Sequence, residues 1–279
     1  MSDVFSLIEK GVVKRYFRAR KKPSFKGAIS HVTQHASGTG PLFLETSDYL
    51  YMLHLMKEVS KKFNFNILSF TLMLNHIHLF IKLHCSNLSG AMKNLFERYA
   101  MYFNNKYDRK GHVFSGSYRS ALCFSEAYLL AISLYIHLNP VRKGLVAFPD
   151  EYRWSSCRLF VTDINRDTFV NYRFILDILD SDILEARMKY REALEKVRRK
   201  IVENALEKSK PIESIIEILK DEKTDIEIEK LKTKNRLRKS EDKKMRVVMI
   251  KRLKARDFNI TEIAQRLNLS RSAVYKAIK

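Results

Sequence analysis

The stretch "SFTLMLNHIHLFIKL", residues 69–83, decides the architecture. It reads as strand almost throughout, with "LN" at 74–75 as a turn between two strands. His76 and His78 sit inside this apolar run, where Leu or Ile would pack better. Side chains alternate across a strand with period two, so both imidazoles project from one face. Two neutral imidazoles side by side fill a core poorly and supply half of a metal site. Two satisfied polar residues on a half-exposed sheet face would leave the same pattern, so the pair alone keeps both readings open.

Working outward, "GAISHVTQHA" (27–36) alternates as a first strand before "GTGP" breaks the chain. Residues 46–62 open with Thr, Ser and Asp as capping candidates and carry apolar residues at helical spacing. In 87–107, Leu88, Met92, Leu95, Phe96, Tyr99 and Phe103 form a second helical stripe. "GHVFSGSYRSALCF" (111–124) is strand-like; Ser125 then caps a helix expected to stop at Pro140. The order β-α-β-β-α-β plus a further helix predicts an α+β, ferredoxin-like antiparallel sheet with helices on one face, followed by an all-α C-terminal region. Such a sheet hosts many functions, so function has to come from the site.

Charge narrows the partners. With 52 Lys+Arg against 31 Asp+Glu, the formal net charge is +21, which favours a polyanion, most simply nucleic acid. No apolar run approaches the ~20 residues needed to span a bilayer, and "MSDVFSLIEKGVVKRYFRARKK" has no signal-peptide core, so a cytoplasmic, nucleoid-associated protein is expected. Cys85, Cys123 and Cys157 lie far apart, which reads as reduced thiols and not a disulfide frame or zinc site.

Four regions are expected: a basic arm (1–25), a main domain (26–160), a charged helical connector (161–245) and a terminal segment (246–279). Glu, Lys and Arg dominate 184–245, with apolar spacing too sparse for a large core. "FNITEIAQRLNLSRSAVYKAIK" (258–279) has helix-turn-helix spacing: Ile263, Ala264 and Leu267 pack one helix and Ser270 caps the next. Arg271, Ser272, Tyr275 and Lys276 would then face a major groove. A helical hairpin used for packing is the alternative.

A cation held by two histidines needs further ligands. In "LYIHLNPVRKGLV" (134–146), Tyr135 and Asn139 are four residues apart and share a helix face. Asn139 offers an amide oxygen suited to Mg²⁺ or Mn²⁺; Tyr135 offers a phenol that could attack a polarised phosphodiester. Tyr128 lies on about the same face as a rival nucleophile or packing residue, and His137 points the other way. A helical Tyr is more often core than catalyst. In 87–119, cations such as Arg98 and Arg119 alternate with Tyr99, Tyr102, Tyr107 and Tyr118, a pattern suited either to a single-strand groove or to an ordinary amphipathic helix.

Several motifs in order, "ISHVTQ" (29–34), "LMLNHIHLFI" (72–81), "GHVFSGSYRS" (111–120), "YLLAISLYIHLNPVRKGLV" (128–146) and "YRWSS" (152–156), resemble the REP-associated tyrosine transposases of the IS200-like superfamily, HUH-type single-strand DNA nucleases. The resemblance covers roughly residues 26–160. It implies His76 and His78 as metal ligands, Tyr135 as the nucleophile and Asn139 as an additional ligand, with Mg²⁺ or Mn²⁺ as cofactor. It also implies cleavage of hairpin-containing single-stranded DNA through a 5′-phosphotyrosine and a free 3′-hydroxyl, by a monomer or homodimer; Arg142 falls in the same "NPVR" block. Leu74 replaces a proline common in the family, and Ser117 stands where the family often has Arg, a contact Arg119 could assume. Competing readings are a non-catalytic DNA-binding regulator derived from a transposase, a relaxase-like HUH enzyme, and a phosphodiesterase that uses water. His84 shares strand parity with the pair but is about 20 Å of strand from His76, too far for one ion.

Overall fold

The computed structural model describes residues 22–123, 125–163, 168–202, 211–216, 218, 219, 247, 250, 254, 260–267, 269–271, 273 and 274. The chain divides into two compact units, 1–215 and 216–279. In the first, β1 (Ile29–His35), α1 (Thr46–Lys62), β2 (Phe65–Met73), β3 (His76–Leu83), α2 (Leu88–Lys106), β4 (Arg119–Leu122) and α3 (Glu126–Arg142) follow one another. A 3₁₀ turn at Pro149–Glu151, the short helices α4 (Cys157–Val161) and α5 (Arg173–Leu176), and α6 (Ile183–Val202) complete it. The strands form one antiparallel sheet in the order β2-β3-β1-β4, the ferredoxin-like arrangement expected from the element order.

Alternation divides the sheet into two unlike faces. Val32, Ile77, Leu79, Ile81 and Leu83 pack with Met52, Leu55, Leu95 and Tyr99 from α1 and α2 in the main core. A bulge between Ile67 and Ser69 keeps β2 in step, so that Phe70 and Leu72 join that core while Thr71 pairs with His78 on the opposite face. Helix α3 lies against β2 and β3 and covers this second face. Residues from Leu129 to Pro140 along α3 are buried except for half-buried Tyr135, as befits a helix enclosed on almost all sides.

Four sequence expectations are corrected. The N-cap of α1 is Glu45, not Thr46, Ser47 or Asp48. Strand pairing at 111–124 shrinks to Arg119–Leu122, because Gly111 and Gly116 adopt φ of 96° and 99° and turn the preceding segment into a loop. Helix α3 passes through Pro140. A proline cannot donate to the carbonyl four residues back, that of Ile136; Thr71 Oγ1 on β2 donates to it instead, at 2.9 Å. The stop is Gly144, at φ 67°, where the Gly144 and Leu145 amides bond to the Val141 and Pro140 carbonyls at 2.9 and 3.0 Å, a Schellman ending.

The fourth correction concerns the connector. Helix α6 buries Ala186, Tyr190, Ala193, Leu194 and Val197 at helical spacing and packs on α3. The compact unit therefore continues past residue 160 to Ile215. "YRWSS" also has a structural task. Leu72 N donates to Trp154 O at 2.9 Å and Ser156 N to Phe70 O at 3.0 Å, so this segment covers the open edge of β2.

In the second unit, α7 (Ile260–Leu267) buries Ile263, Ala264 and Leu267, and Ser270 Oγ accepts from Ala273 N at 3.2 Å. Among the described residues no helix is long and apolar enough to cross a membrane.

A buried acid ties the α1–α2 layer together. Asp48 Oδ2 accepts from Leu44 N (2.8 Å), Glu45 N (3.1 Å) and Tyr107 OH (2.8 Å), and Oδ1 from Lys106 Nζ (2.7 Å) and Tyr102 OH (3.1 Å). Burial opposes its charge, yet the donors, Lys106 foremost, hold the carboxyl below its usual range. This network occupies Tyr102, Lys106 and Tyr107, and Tyr99 is buried, so these residues of the 87–119 segment have a part in holding the fold. Asp48→Asn is expected to lose about 2–3 kcal/mol in urea unfolding at neutral pH. Because the folded-state pKa is depressed, the wild-type advantage is present above the unfolded carboxylate value and shrinks as pH falls through the folded one.

Candidate active site

Cross-strand register builds a polar row on the face beneath α3. Thr71 stands opposite His78, His78 opposite Thr33, and Thr33 opposite Arg119; beside this row Met73, His76 and His35 align. His76 Nδ1 lies 2.8 Å from Asn75 Oδ1. An amide oxygen only accepts, so Nδ1 carries the proton and Nε2 keeps its lone pair. His78 Nδ1 lies 2.9 Å from His31 Nε2, while His78 Nε2 is buried with no hydrogen-bond partner. Burial, reinforced by neighbouring His35 and Lys143, lowers His76 to about 4. Burial also drives His78 well below the ordinary histidine value, with His31 and His76 adding to it, and burial alone lowers His31 to about 4. Both strand imidazoles are therefore neutral bases near pH 7.

Helix α3 brings a phenol to the same place. The Tyr135 ring meets His78 edge-on at 5.6 Å between centroids and His31 at 6.0 Å. Arg142, two turns on, holds its guanidinium carbon 5.0 Å from the Tyr135 ring centroid. Asn139 Nδ2 donates to the Tyr135 carbonyl at 2.8 Å, which leaves the amide oxygen as the free end of that side chain's hydrogen-bonding capacity. His76, His78, Tyr135, Asn139, Arg119 and Arg142 line one cleft of about 920 Å³, with Lys143 at its margin and Ile201, Val202, Pro211 and Ile212 forming an apolar wall.

Other sequence candidates fall elsewhere. Arg98 pairs with Glu58 at 2.8 Å on the outer side of α2 and does not line the cleft. Arg271 is exposed in the second unit, and Ser272, Tyr275 and Lys276 lie outside the described residues. Tyr128 does not line the cleft either. His137 is a satisfied core histidine, with Nδ1 2.8 Å from Tyr190 OH and Nε2 2.8 Å from Ser156 Oγ. Sequence reasoning missed His31, Thr33 and His35, although their period-two spacing in "ISHVTQH" was a visible signal.

An orphaned, buried Nε2 on His78 beside a neutral His76 is the donor pattern of a cation site. Among the described residues no three His, Cys, Asp or Glu side chains form a metal-ligand cluster, so oxygen donors would have to complete the imidazole pair. The Asn139 amide oxygen is of the right kind.

Residues 42–139 match the family model described as "Transposase IS200 like". Over this segment, about a third of the chain, the protein is similar to IS200-like transposases. The segment contains His76, His78, Tyr135 and Asn139, and begins after β1 with His31 and His35. Among solved structures, the chain is similar to one described as a REP-associated tyrosine transposase bound to a REP hairpin, at 18% identity and a TM-score of 0.43, over 50% of this chain and 82% of that one. No curated protein matches the chain.

The matched segment depends on α6 for the seating of its last helix, α3. Tyr190 OH bonds both His137 Nδ1 and Ser133 Oγ, the latter at 2.7 Å, all buried. Tyr190→Phe leaves those groups short of a partner and is expected to cost about 1–3 kcal/mol in denaturant unfolding.

Proposed function

We propose that the chain cleaves and rejoins hairpin-containing single-stranded DNA by covalent catalysis from Tyr135. The observation that carries this is the approach of the Tyr135 ring to His78 within one cleft whose other walls supply His76, Asn139 and the cations Arg119, Arg142 and Lys143. Arg119, Arg142 and Lys143 bind the phosphates that flank the scissile bond and orient the strand. Half-buried in the cleft, Tyr135 Oη attacks the phosphorus in line as its own proton departs. The P–O3′ bond breaks, the 3′ oxygen takes up a proton, and the 5′ phosphate stays on the tyrosine. Attack by a 3′-hydroxyl reverses the sequence and reseals a strand without ATP, because the bond energy is kept in the phosphotyrosine.

His76, His78 and Asn139 would hold a divalent cation, Mg²⁺ or Mn²⁺. When bound it withdraws charge from the phosphodiester oxygens. His78, buried and neutral, has no other partner for its Nε2 lone pair, and His76 is oriented by Asn75. The helix-turn-helix pattern read from the sequence of 258–279, with Arg271, Ser272, Tyr275 and Lys276 as its candidate groove contacts, would add contacts to duplex DNA.

Labelled hairpin oligonucleotides with Mn²⁺ or Mg²⁺ are expected to give a protease-sensitive adduct that Tyr135→Phe abolishes and chelation suppresses. Cleavage that survives Tyr135→Phe would point to water as nucleophile. Arg119→Ala and Arg142→Ala should weaken single-strand binding and each lower the slope of log K against log salt by about 0.7. Arg98→Ala should leave both unchanged.

A further inference from the structure

We propose that His31 is a positioning residue that fixes His78 in the tautomer and ring orientation needed to present Nε2 to a divalent cation. The inference rests on the reading of His76 and His78 as cation ligands. His31 and His78 are diagonal neighbours on adjacent antiparallel strands: His31 stands opposite Phe80, and His78 opposite Thr33. Their rings stack with centroids 5.1 Å apart and planes inclined by 25°, and His31 Nε2 lies 2.9 Å from His78 Nδ1. Thr33 Oγ1 lies 3.4 and 3.5 Å from the same two nitrogens, which closes the remaining side of the pair.

One proton lies between these nitrogens, and its owner decides what His78 can do. If His78 Nδ1 holds it, the proton is donated to His31 and Nε2 keeps a lone pair. If His31 Nε2 holds it, His78 must carry its proton on Nε2, a buried donor with no acceptor. The first arrangement turns the orphaned atom into a ligand, and the second leaves it a penalty. Ligating histidines usually bond their distal nitrogen to a carboxylate or carbonyl; this chain uses a second imidazole for that task. The rigidity is supplied by β1, whose backbone pairs with β3 on one side and β4 on the other. Tyr135, edge-on to both rings, is then aligned on the same fixed pair.

The test measures Mn²⁺ binding by the loss of the free-ion EPR signal on the full-length protein, without DNA. His31→Phe, which keeps the bulk but removes the acceptor, is expected to weaken Mn²⁺ about 10–100-fold. His31→Gln, which restores an acceptor oxygen, should recover to within a few-fold of wild type. Unaltered affinity in a folded His31→Phe protein, with binding still lost in His78→Ala, overturns the role of His31 alone. Absence of Mn²⁺ binding by the wild type overturns the ligand reading and this inference together. Should the variants fail to fold, ¹⁵N imidazole shifts of the metal-free wild type decide the matter: protonation of His78 at Nδ1 is expected, and protonation at Nε2 sinks the proposal.

Discussion

The period-two geometry of β3 governs everything else in the first unit. One set of its side chains, Ile77, Leu79, Ile81 and Leu83, closes the core with α1 and α2. The alternate set includes His76 and His78, which emerge on the other face. A sheet face bearing imidazoles cannot be left under an apolar helix without partners for its nitrogens, since each unpaired buried polar atom costs about 1–3 kcal/mol. The molecule meets this constraint atom by atom. Asn75 takes His76 Nδ1, His31 takes His78 Nδ1, and Thr71 satisfies the Ile136 carbonyl that Pro140 cannot. What remains, among the buried side-chain atoms of the described histidines, is His78 Nε2 without a partner, close to where Tyr135 arrives.

Helix α3 is the second half of that constraint. It must present Tyr135 and Asn139 to the sheet while burying almost its whole circumference. An all-round apolar helix needs cover on its outer side, and α6 supplies it through a narrow stripe ending in the Tyr190 hydroxyl. The Schellman ending at Gly144 then halts the helix just after Arg142 and Lys143, which places both cations at the cleft and near the negative end of the helix dipole.

Much of this was legible in the sequence because it depended on periodicity. The strands at 69–83, the helices at 46–62 and 87–107, the shared face of His76 and His78, and the i,i+4 relation of Tyr135 and Asn139 all follow from spacing. What was not legible depended on contacts between distant segments. Pro140 reads as a stop unless Thr71, far away in sequence, is known to complete the hydrogen bond. Asp48 reads as a capping candidate and not as the acceptor for Tyr102 and Lys106 of α2 and Tyr107 just after it. The α6 stripe is hidden because Glu, Lys and Arg fill the intervening positions, so local composition outweighs the apolar signal. The histidines of β1 were visible as an alternating pattern, but only the strand order puts them beside His78.

Order in the cleft comes from rigid elements and not from loops. His31, His76 and His78 lie on paired strands, and Tyr135 and Asn139 lie inside a helix pinned to the sheet at Ile136 and to α6 at His137. Groups so held have little conformational freedom left to lose, the kind of placement that chemistry in such a cleft would draw on. The arrangement has a corollary for α6. His137 lies two residues, about half a helical turn, from Tyr135, so the Tyr190 contact holds α3 close to the phenol. The charge-rich segment that looks like a connector in sequence therefore helps to seat the helix that carries Tyr135.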